Sequence, residues 1–266
     1  MKHLISWITE SIKAQNNDFD IVWAIVGRER LGKSFTALTV FREFYNAKGI
    51  NPISKMKNFT GDLESFSRAI NTADYGDMVV LDEAADVMTT ANYYDEMVRK
   101  VREAYTIIGA MNLFTIIVLP DFFLLDTYFR KFRVKAVIYV YQRGKVAMYC
   151  DEDIQRLENY AKETKNLLVV RPTCYDSVTK FDDIEILKIY KKIKDKKVKD
   201  TKQSLIDMYG MGETVFLKKA CALMRVSYPY GLKLVREGKL EYIKTPSSRY
   251  KIKVEDIDKL KGVSNV

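Results

Sequence analysis

Histidine is nearly absent from this chain of 266 residues, and its one example is His3. A single histidine excludes catalysis by paired histidines and argues against a zinc site with histidine ligands. Cysteine is also scarce. Cys150, Cys174 and Cys221 lie far apart in the sequence and match neither a metal-site spacing nor a disulfide framework. We therefore expect a reducing compartment.

Long hydrophobic runs are missing as well. The most apolar stretch, Leu113 to Leu125, is interrupted by Pro120 and Asp121 and is too short to span a bilayer. The first residues also lack the apolar segment of a secretory signal. We therefore expect an intracellular, cytoplasmic protein with no membrane span.

A charge balance is missing from the last third of the chain, where Lys and Arg are enriched. Of the net charge of +9, residues 1–180 contribute almost nothing, with 24 Lys/Arg against 23 Asp/Glu, whereas residues 181–266 carry 20 against 12. Such an asymmetry favours a module that binds a polyanion. A lysine-rich solvated helix, such as Lys188 to Lys202, would give the same count without any partner.

One motif dominates the sequence. The segment from Gly27 to Ser34 has the pattern G-x-x-x-x-G-K-S, after an apolar run and before a helical pattern. Glycines let backbone N–H groups face phosphate oxygens, lysine neutralises the outer phosphates, and the serine hydroxyl can ligate magnesium. We predict that ATP and Mg²⁺ are the cofactors and that the nucleotide contacts Gly27, Arg28, Glu29, Arg30, Leu31, Gly32, Lys33, Ser34 and Phe35.

Two acids form the second motif. Asp82 and Glu83 follow the apolar run Met78–Leu81, which is typical of a strand buried on both faces of a parallel sheet. We predict that Ser34 and Asp82 hold the metal and that Glu83 and Lys33 are catalytic, with Glu83 activating water. The segment between the loop and these two acids is long enough to contain an intervening strand. The alternative is that the acids only cap a helix.

Phosphoryl transfer also requires positive charge near the developing oxygens, often from an arginine of a neighbouring subunit. We assign this catalytic role to Arg130 and Arg133, which lie beyond the strand that ends at Pro120. Their spacing fits a solvated helix face equally well. Other candidates are Arg99, Arg102 and Arg143.

Strand and helix patterns alternate along the first part of the chain, which predicts an α/β fold. The sequence predicts a lead-in helix, a weak strand near 56–60, helices over 62–71 and 92–112, a strand over 113–119, and a hairpin of 136–142 with 145–150. We divide the chain into an ATPase domain (1–170), a connector with a lysine-rich helix (171–210) and a C-terminal domain (211–266).

Together these motifs resemble the additional-strand, catalytic-glutamate P-loop ATPases, and within them the HerA/FtsK superfamily with its Zot-like and viral DNA-packaging members. The resemblance rests on Gly27–Ser34, Val79–Glu83 and the stretch from Asn112 to Gly144, about half of the chain. It implies a RecA-like P-loop NTPase with a mainly parallel sheet flanked by helices. It also implies a homo-oligomer, such as a ring with active sites between subunits. Many FtsK-like pumps carry a polar residue where this chain has Leu119-Pro120-Asp121.

The C-terminal residues carry a different pattern, with two short helices, a turn and a basic strand pair. This pattern resembles the winged helix-turn-helix domains of excisionases and MerR-like proteins, which implies binding to double-stranded DNA. The alternative is a winged helix that contacts protein. Pro229 and Gly231 are unusual inside a recognition helix. By the resemblance, the residues that face DNA are Ser227, Tyr228, Tyr230, Lys233, Lys244, Ser247, Ser248 and Arg249.

The sequence thus predicts an ATP-hydrolysing, DNA-binding protein for DNA translocation, packaging, segregation or transfer, acting for a virus or plasmid in the infected or plasmid-bearing cell. The alternative is an ATP-switched DNA-binding regulator or replication-initiation factor without motor activity. A small-molecule kinase comes third, because the basic C-terminal part does not suit it.

Overall fold

The computed structural model describes residues 1–84, 108–209, 214–224, 226–240, 242–244, 250–253 and 256–257. Contacts divide the chain into two compact units, Met1–Lys194 and Asp195–Val266. The first unit therefore extends beyond residue 170, the domain end expected from the sequence. Most of the helix predicted over 92–112 lies outside the described residues, as do Arg99 and Arg102.

The first unit is built on a seven-stranded sheet with the order β2-β3-β4-β1-β5-β6-β7. The first five strands in this order run parallel, and β6 is antiparallel to both of its neighbours. The α/β fold with a mostly parallel sheet is confirmed. The strands are β1 (Ile21–Val26), β2 (Phe59–Thr60), β3 (Met78–Leu81), β4 (Phe114–Leu119), β5 (Val134–Gln142), β6 (Lys145–Cys150) and β7 (Cys174–Ser177).

Strand β4 lies between β1 and β3, the two strands that precede the sequence motifs. Val26 of β1 is in register with Leu119 of β4, and Leu81 of β3 is in register with Ile117. The carboxyl ends of β1 and β3 therefore reach the same edge of the sheet. The interval between the loop and the acids does contain a strand, β2, but it lies at the edge of the sheet beyond β3, and the strand between β1 and β3 is β4, which follows the acids in sequence.

Helices cover both faces of this sheet, so every residue of β1 and β4 is buried. Alternate residues of β1 join two different core clusters, one with Val22 and the other with Trp23. The Val22 cluster includes α3 (Leu63–Thr72) and α4 (Asp151–Tyr160), and the Trp23 cluster includes α1 (Lys2–Gln15), α2 (Lys33–Ala47) and α5 (Ile184–Tyr209). No helix in the described part of the chain is long and apolar enough to cross a membrane.

Two local predictions differ from the structure. Residues Pro52–Asn58 form a 3₁₀ helix and only Phe59–Thr60 form a strand, because the Asn51 side chain accepts a hydrogen bond from the Ile53 amide and caps a helical turn. The second difference concerns strand β7 and the first turns of α5, which the sequence-based division places in the connector. β7 pairs with β6, and Ile186 of α5 is fully buried in the Trp23 cluster, so both belong to the first unit.

The second unit contains β8 (Thr214–Phe216), α6 (Leu217–Met224), α7 (Tyr228–Arg236), β9 (Tyr242–Lys244) and β10 (Tyr250–Lys253). β10 pairs antiparallel with β8 and with β9. A small core holds the helices against the sheet, with contributions from Leu217, Ala220, Cys221, Leu234, Val235, Leu240, Ile252 and Ile257.

The two residues that the sequence marks as unusual in α7 each have a structural reason. Pro229 lies in the first turn, where a helix does not need its N–H. Gly231 is buried against α6, and a Cβ at this position would overlap the sulfur of Cys221. Glycine at this position therefore allows the two helices to approach closely.

We expect Gly231→Ala to destabilise the second unit by about 1–3 kcal/mol, because the added methyl group overpacks the helix contact. Cys221→Ala in the same chain removes the clashing sulfur and should restore most of the loss. Hydrogen exchange of residues 217–236 in the full chain measures the effect. Gly109→Ala is the control, since a Cβ there meets open space. Equal exchange in Gly231→Ala and the wild type would contradict this account.

Candidate nucleotide-binding site

The loop between β1 and α2 has the backbone that phosphate binding requires. Gly27 has φ +147° and a Cβ there would overlap the carbonyl oxygen of Val140, so only glycine fits against β5. Gly32 has φ +100° and precedes α2, and no side chain among the described residues caps this helix. The first N–H groups of α2 are therefore left for an anion, and the helix dipole favours one there.

Lys33 reaches back across the loop. Its ammonium donates a hydrogen bond to the carbonyl oxygen of Arg28 at 3.0 Å. Burial lowers the pKa of this lysine, and nearby Asp82 opposes that effect in part. A bound phosphate would add negative charge at the same place, so the lysine is positioned to neutralise it.

Asp82 lies within hydrogen-bonding distance of the loop serine. Ser34 Oγ donates to Asp82 Oδ1 at 3.0 Å, and the Asp82 side chain is only 1% exposed. Hydroxyl and carboxylate oxygens are the ligands that Mg²⁺ prefers, and magnesium keeps waters and takes phosphate oxygens for the rest. The oxygen donors present therefore fit a magnesium ion bound together with a triphosphate.

Glu83 follows directly and is half exposed. Its φ of +65° is rare for a residue with a side chain and costs conformational energy, which marks it as a constrained position beside the loop. The structure thus brings together the loop, Lys33, Ser34, Asp82 and Glu83, as the sequence motifs predicted for one site.

Two side chains of α5, which the sequence motifs do not indicate as site residues, also contact the two acids. Tyr190 donates its hydroxyl to Asp82 Oδ2 at 2.9 Å, and Lys194 Nζ lies 3.1 Å from the same oxygen. Lys194 also pairs with Glu83. The signal in the sequence was weak, because Lys194 is one of many lysines in a helix that resembles a solvated connector.

These contacts shift the pKa values of both side chains. Burial, and then the charge of Asp82, raise the pKa of the Tyr190 phenol to about 12. Burial alone would lower the pKa of Lys194, but Asp82 and Glu83 together outweigh it and hold that pKa above its usual value. Lys194 is therefore a cation at neutral pH, and Tyr190 is a neutral hydrogen-bond donor.

Residues of the loop, together with Asp82, Glu83 and Tyr190, line a cleft of about 840 Å³. Leu119 and Pro120 at the end of β4 form part of its wall, together with Arg143. A second cavity of about 630 Å³ shares Gly32, Phe35 and Arg143 with this cleft, and it is lined mainly by apolar residues, among them Leu31, Val178, Phe181 and Leu187.

The arginines assigned from the sequence lie elsewhere in the first unit. Residues Phe129–Arg133 precede β5, and Arg133 pairs with Asp20, which precedes β1. Because β1 and β5 are parallel, this is the edge of the sheet opposite to the loop. Arg130 is 2% exposed and pairs with Glu158. Neither arginine lines the described part of the cleft.

Arg143 follows β5 and therefore lies at the same edge as the loop. Its side chain is exposed and lines both the cleft and the second cavity. Of the described arginines that the sequence names as candidates for the catalytic cation, Arg143 is the one that lines this cleft.

The residues predicted to contact DNA lie in the second unit. Ser227, Tyr228, Tyr230 and Lys233 belong to α7 or its cap, and all four are exposed. Lys244 ends β9. Ser247, Ser248 and Arg249 lie outside the described residues.

No protein-family model matches the sequence, and no curated protein matches it. Among solved structures, the genome-packaging NTPase B204 from Sulfolobus turreted icosahedral virus 2, in complex with AMPPCP, is similar over 51% of this chain and 94% of that chain, with 13% identity and a TM-score of 0.37. The N-terminal domain of zonular occludens toxin from Neisseria meningitidis is similar over 65% of this chain and 98% of that chain, with 14% identity and a TM-score of 0.38.

The positions of Arg130 and Arg143 predict that substitution of Arg130 lowers stability, whereas substitution of Arg143 weakens nucleotide binding. Arg130→Met should lower the free energy of unfolding by about 3 kcal/mol or more, because it leaves Glu158 partly buried without its cation. Arg143→Ala should leave the thermal unfolding curve unchanged and weaken binding of a fluorescent ATP analogue about tenfold. Arg68→Ala, at an exposed position of α3, is the control. Weaker nucleotide binding in a stably folded Arg130→Met variant would refute this assignment.

Proposed function

We propose that this protein binds ATP with magnesium at the loop between β1 and α2 and hydrolyses it. The observation that carries the proposal is the 3.0 Å contact between Ser34 and Asp82, with Glu83 next to it. A protein that only binds nucleotide needs one acid at this place, whereas two adjacent acids provide a metal site and a base.

Each residue has a defined part in this reaction. The N–H groups of the loop and Lys33 bind the β- and γ-phosphates, and Ser34 and Asp82 hold the magnesium ion, which when bound neutralises phosphate charge. Glu83 orients a water and accepts its proton as the water oxygen attacks the γ-phosphorus. The bond from that phosphorus to the bridging oxygen breaks, which releases ADP and phosphate. Arg143 adds positive charge at the open side.

The second cavity is the place that we assign to the nucleobase. It begins at Gly32 and Phe35, where the first turn of α2 would direct the sugar and base away from the γ-phosphate. Aromatic rings from Phe35 and Phe181 suit stacking on a flat base.

We propose further that the second unit binds double-stranded DNA as a winged helix-turn-helix domain, so that ATP hydrolysis acts on DNA. Two exposed tyrosines and an exposed lysine on α7 support this, together with the positive charge of the last third of the chain. We infer DNA translocation, packaging, segregation or transfer by a homo-oligomer. In the alternative, an ATP-switched regulator, duplex length would not affect turnover.

Substitutions at the acids and at the loop should separate binding from hydrolysis. Lys33→Ala should abolish binding of a fluorescent ATP analogue. Glu83→Gln should retain binding and lower phosphate release by a factor of about 10² or more, because the base is lost. Glu64→Gln, at an exposed position of α3, should behave as the wild type. Undiminished phosphate release from both Lys33→Ala and Glu83→Gln would exclude hydrolysis at this site.

The DNA proposal predicts a difference between two exposed lysines of the second unit. Lys233→Ala on α7 should weaken binding to duplex DNA and reduce the slope of log affinity against log salt by about 1. Lys218→Ala on α6 removes the same charge and should have a smaller effect. Binding isotherms at several salt concentrations measure both. Equal effects of the two substitutions would show that α7 does not face DNA.

A further inference from the structure

We propose that Lys194, supported by Tyr190, is a positioning residue that withholds Asp82 and Glu83 from magnesium and water until this part of α5 moves. The inference rests on the function proposed above, because it assigns a partner to the two acids of that site. It goes beyond that function by assigning control of the reaction to α5.

The contacts leave little of the acid pair available. Asp82 Oδ2 accepts a hydrogen bond from the Tyr190 hydroxyl at 2.9 Å and forms an ion pair with the Lys194 ammonium at 3.1 Å, while Oδ1 accepts a hydrogen bond from Ser34. The same ammonium pairs with Glu83. One cation therefore joins the residue proposed to hold magnesium and the residue proposed to activate water.

This ion pair opposes the reaction in two ways. The ammonium pairs with a carboxylate oxygen of Glu83 and so occupies an oxygen that would otherwise bind and orient water. The same positive charge repels a divalent cation that approaches Asp82. Release of Lys194 would thus make both acids available at once.

The position of Lys194 in the chain suggests what releases it. α5 runs from Ile184 to Tyr209, and the division between the two compact units falls directly after Lys194. Tyr190 and Lys194 are four residues apart and therefore lie on the same side of this helix. A shift of the helix would break both contacts together. We infer that a ligand of the second unit, duplex DNA in our proposal, favours the released state.

Other lysines of the same helix provide a matched control. Lys191 is exposed and lies within the same turns of α5 as Tyr190 and Lys194. Lys191→Met removes the same charge from the same helix as Lys194→Met. Lys194→Arg keeps the charge and can still pair with both acids.

The experiment compares the full-length wild type with Lys194→Met, Lys194→Arg and Lys191→Met. The first measurement is a Mg²⁺ titration of the binding of a fluorescent ATP analogue. The second is phosphate release with and without duplex DNA. In Lys194→Met we expect a lower Mg²⁺ midpoint and basal turnover raised by about five- to a hundredfold, the range of a typical coupling between sites. Stimulation by DNA should shrink accordingly. Lys194→Arg and Lys191→Met should resemble the wild type.

The outcomes separate the inference from the proposed function. Equal Mg²⁺ midpoints and turnover in Lys194→Met and Lys191→Met would overturn the inference alone, and so would a fall in the turnover of Lys194→Met toward that of Glu83→Gln, which would make Lys194 a catalytic cation instead. Equal binding of the analogue by the wild type and Lys33→Ala would overturn the proposed function, and the inference with it.

Discussion

The parallel register of β1, β4 and β3 is the constraint on which the candidate site depends. Val26 pairs with Leu119 and Leu81 pairs with Ile117, so β1 and β4 end together and β3 ends two residues earlier. Their interior positions are buried on both faces, and all of them except Thr115 of β4 carry apolar side chains. The polar residues of the site therefore follow the ends of the strands, and the register brings those ends to one edge. Gly27 completes the arrangement, because its missing side chain lets the loop lie against the backbone of Val140 in β5.

The buried charge of Asp82 is the second constraint. An ionised carboxylate that is 1% exposed requires partners, since burial without them costs several kcal/mol. Ser34, Tyr190 and Lys194 provide them in this structure. The acid therefore helps to fix the position of α5 as well as to form the site. Phe59 and Phe35 pack near Tyr190 and support the same position of the helix.

Two arginines show that the residue type alone does not determine the role of a side chain. Arg130 carries the charge that phosphoryl transfer needs, but it is buried, pairs with Glu158 and stabilises the region before β5. Arg143, in the short turn after β5, reaches the cleft. The sequence names both as candidates. Only the direction of β5 decides between them, because one arginine precedes this strand and the other follows it.

Features that depend on neighbouring residues can be predicted from the sequence alone. The loop Gly27–Ser34 can be recognised because its own glycine, lysine and serine residues determine its backbone conformation and its charge. The strands β1, β3 and β4 can be recognised because a strand buried on both faces requires a short run of mostly apolar residues. The sequence did not reveal β7, whose exposed and half-buried residues lack a strand pattern, or the 3₁₀ turn that the Asn51 side chain caps. Nor did it reveal the place of Tyr190 and Lys194. The insertion of β4 between β1 and β3, the place of Arg143 at the cleft and the contact of Lys194 with two acids arise only in the folded chain. Each brings together residues that are distant in the sequence, and no local pattern records such contacts.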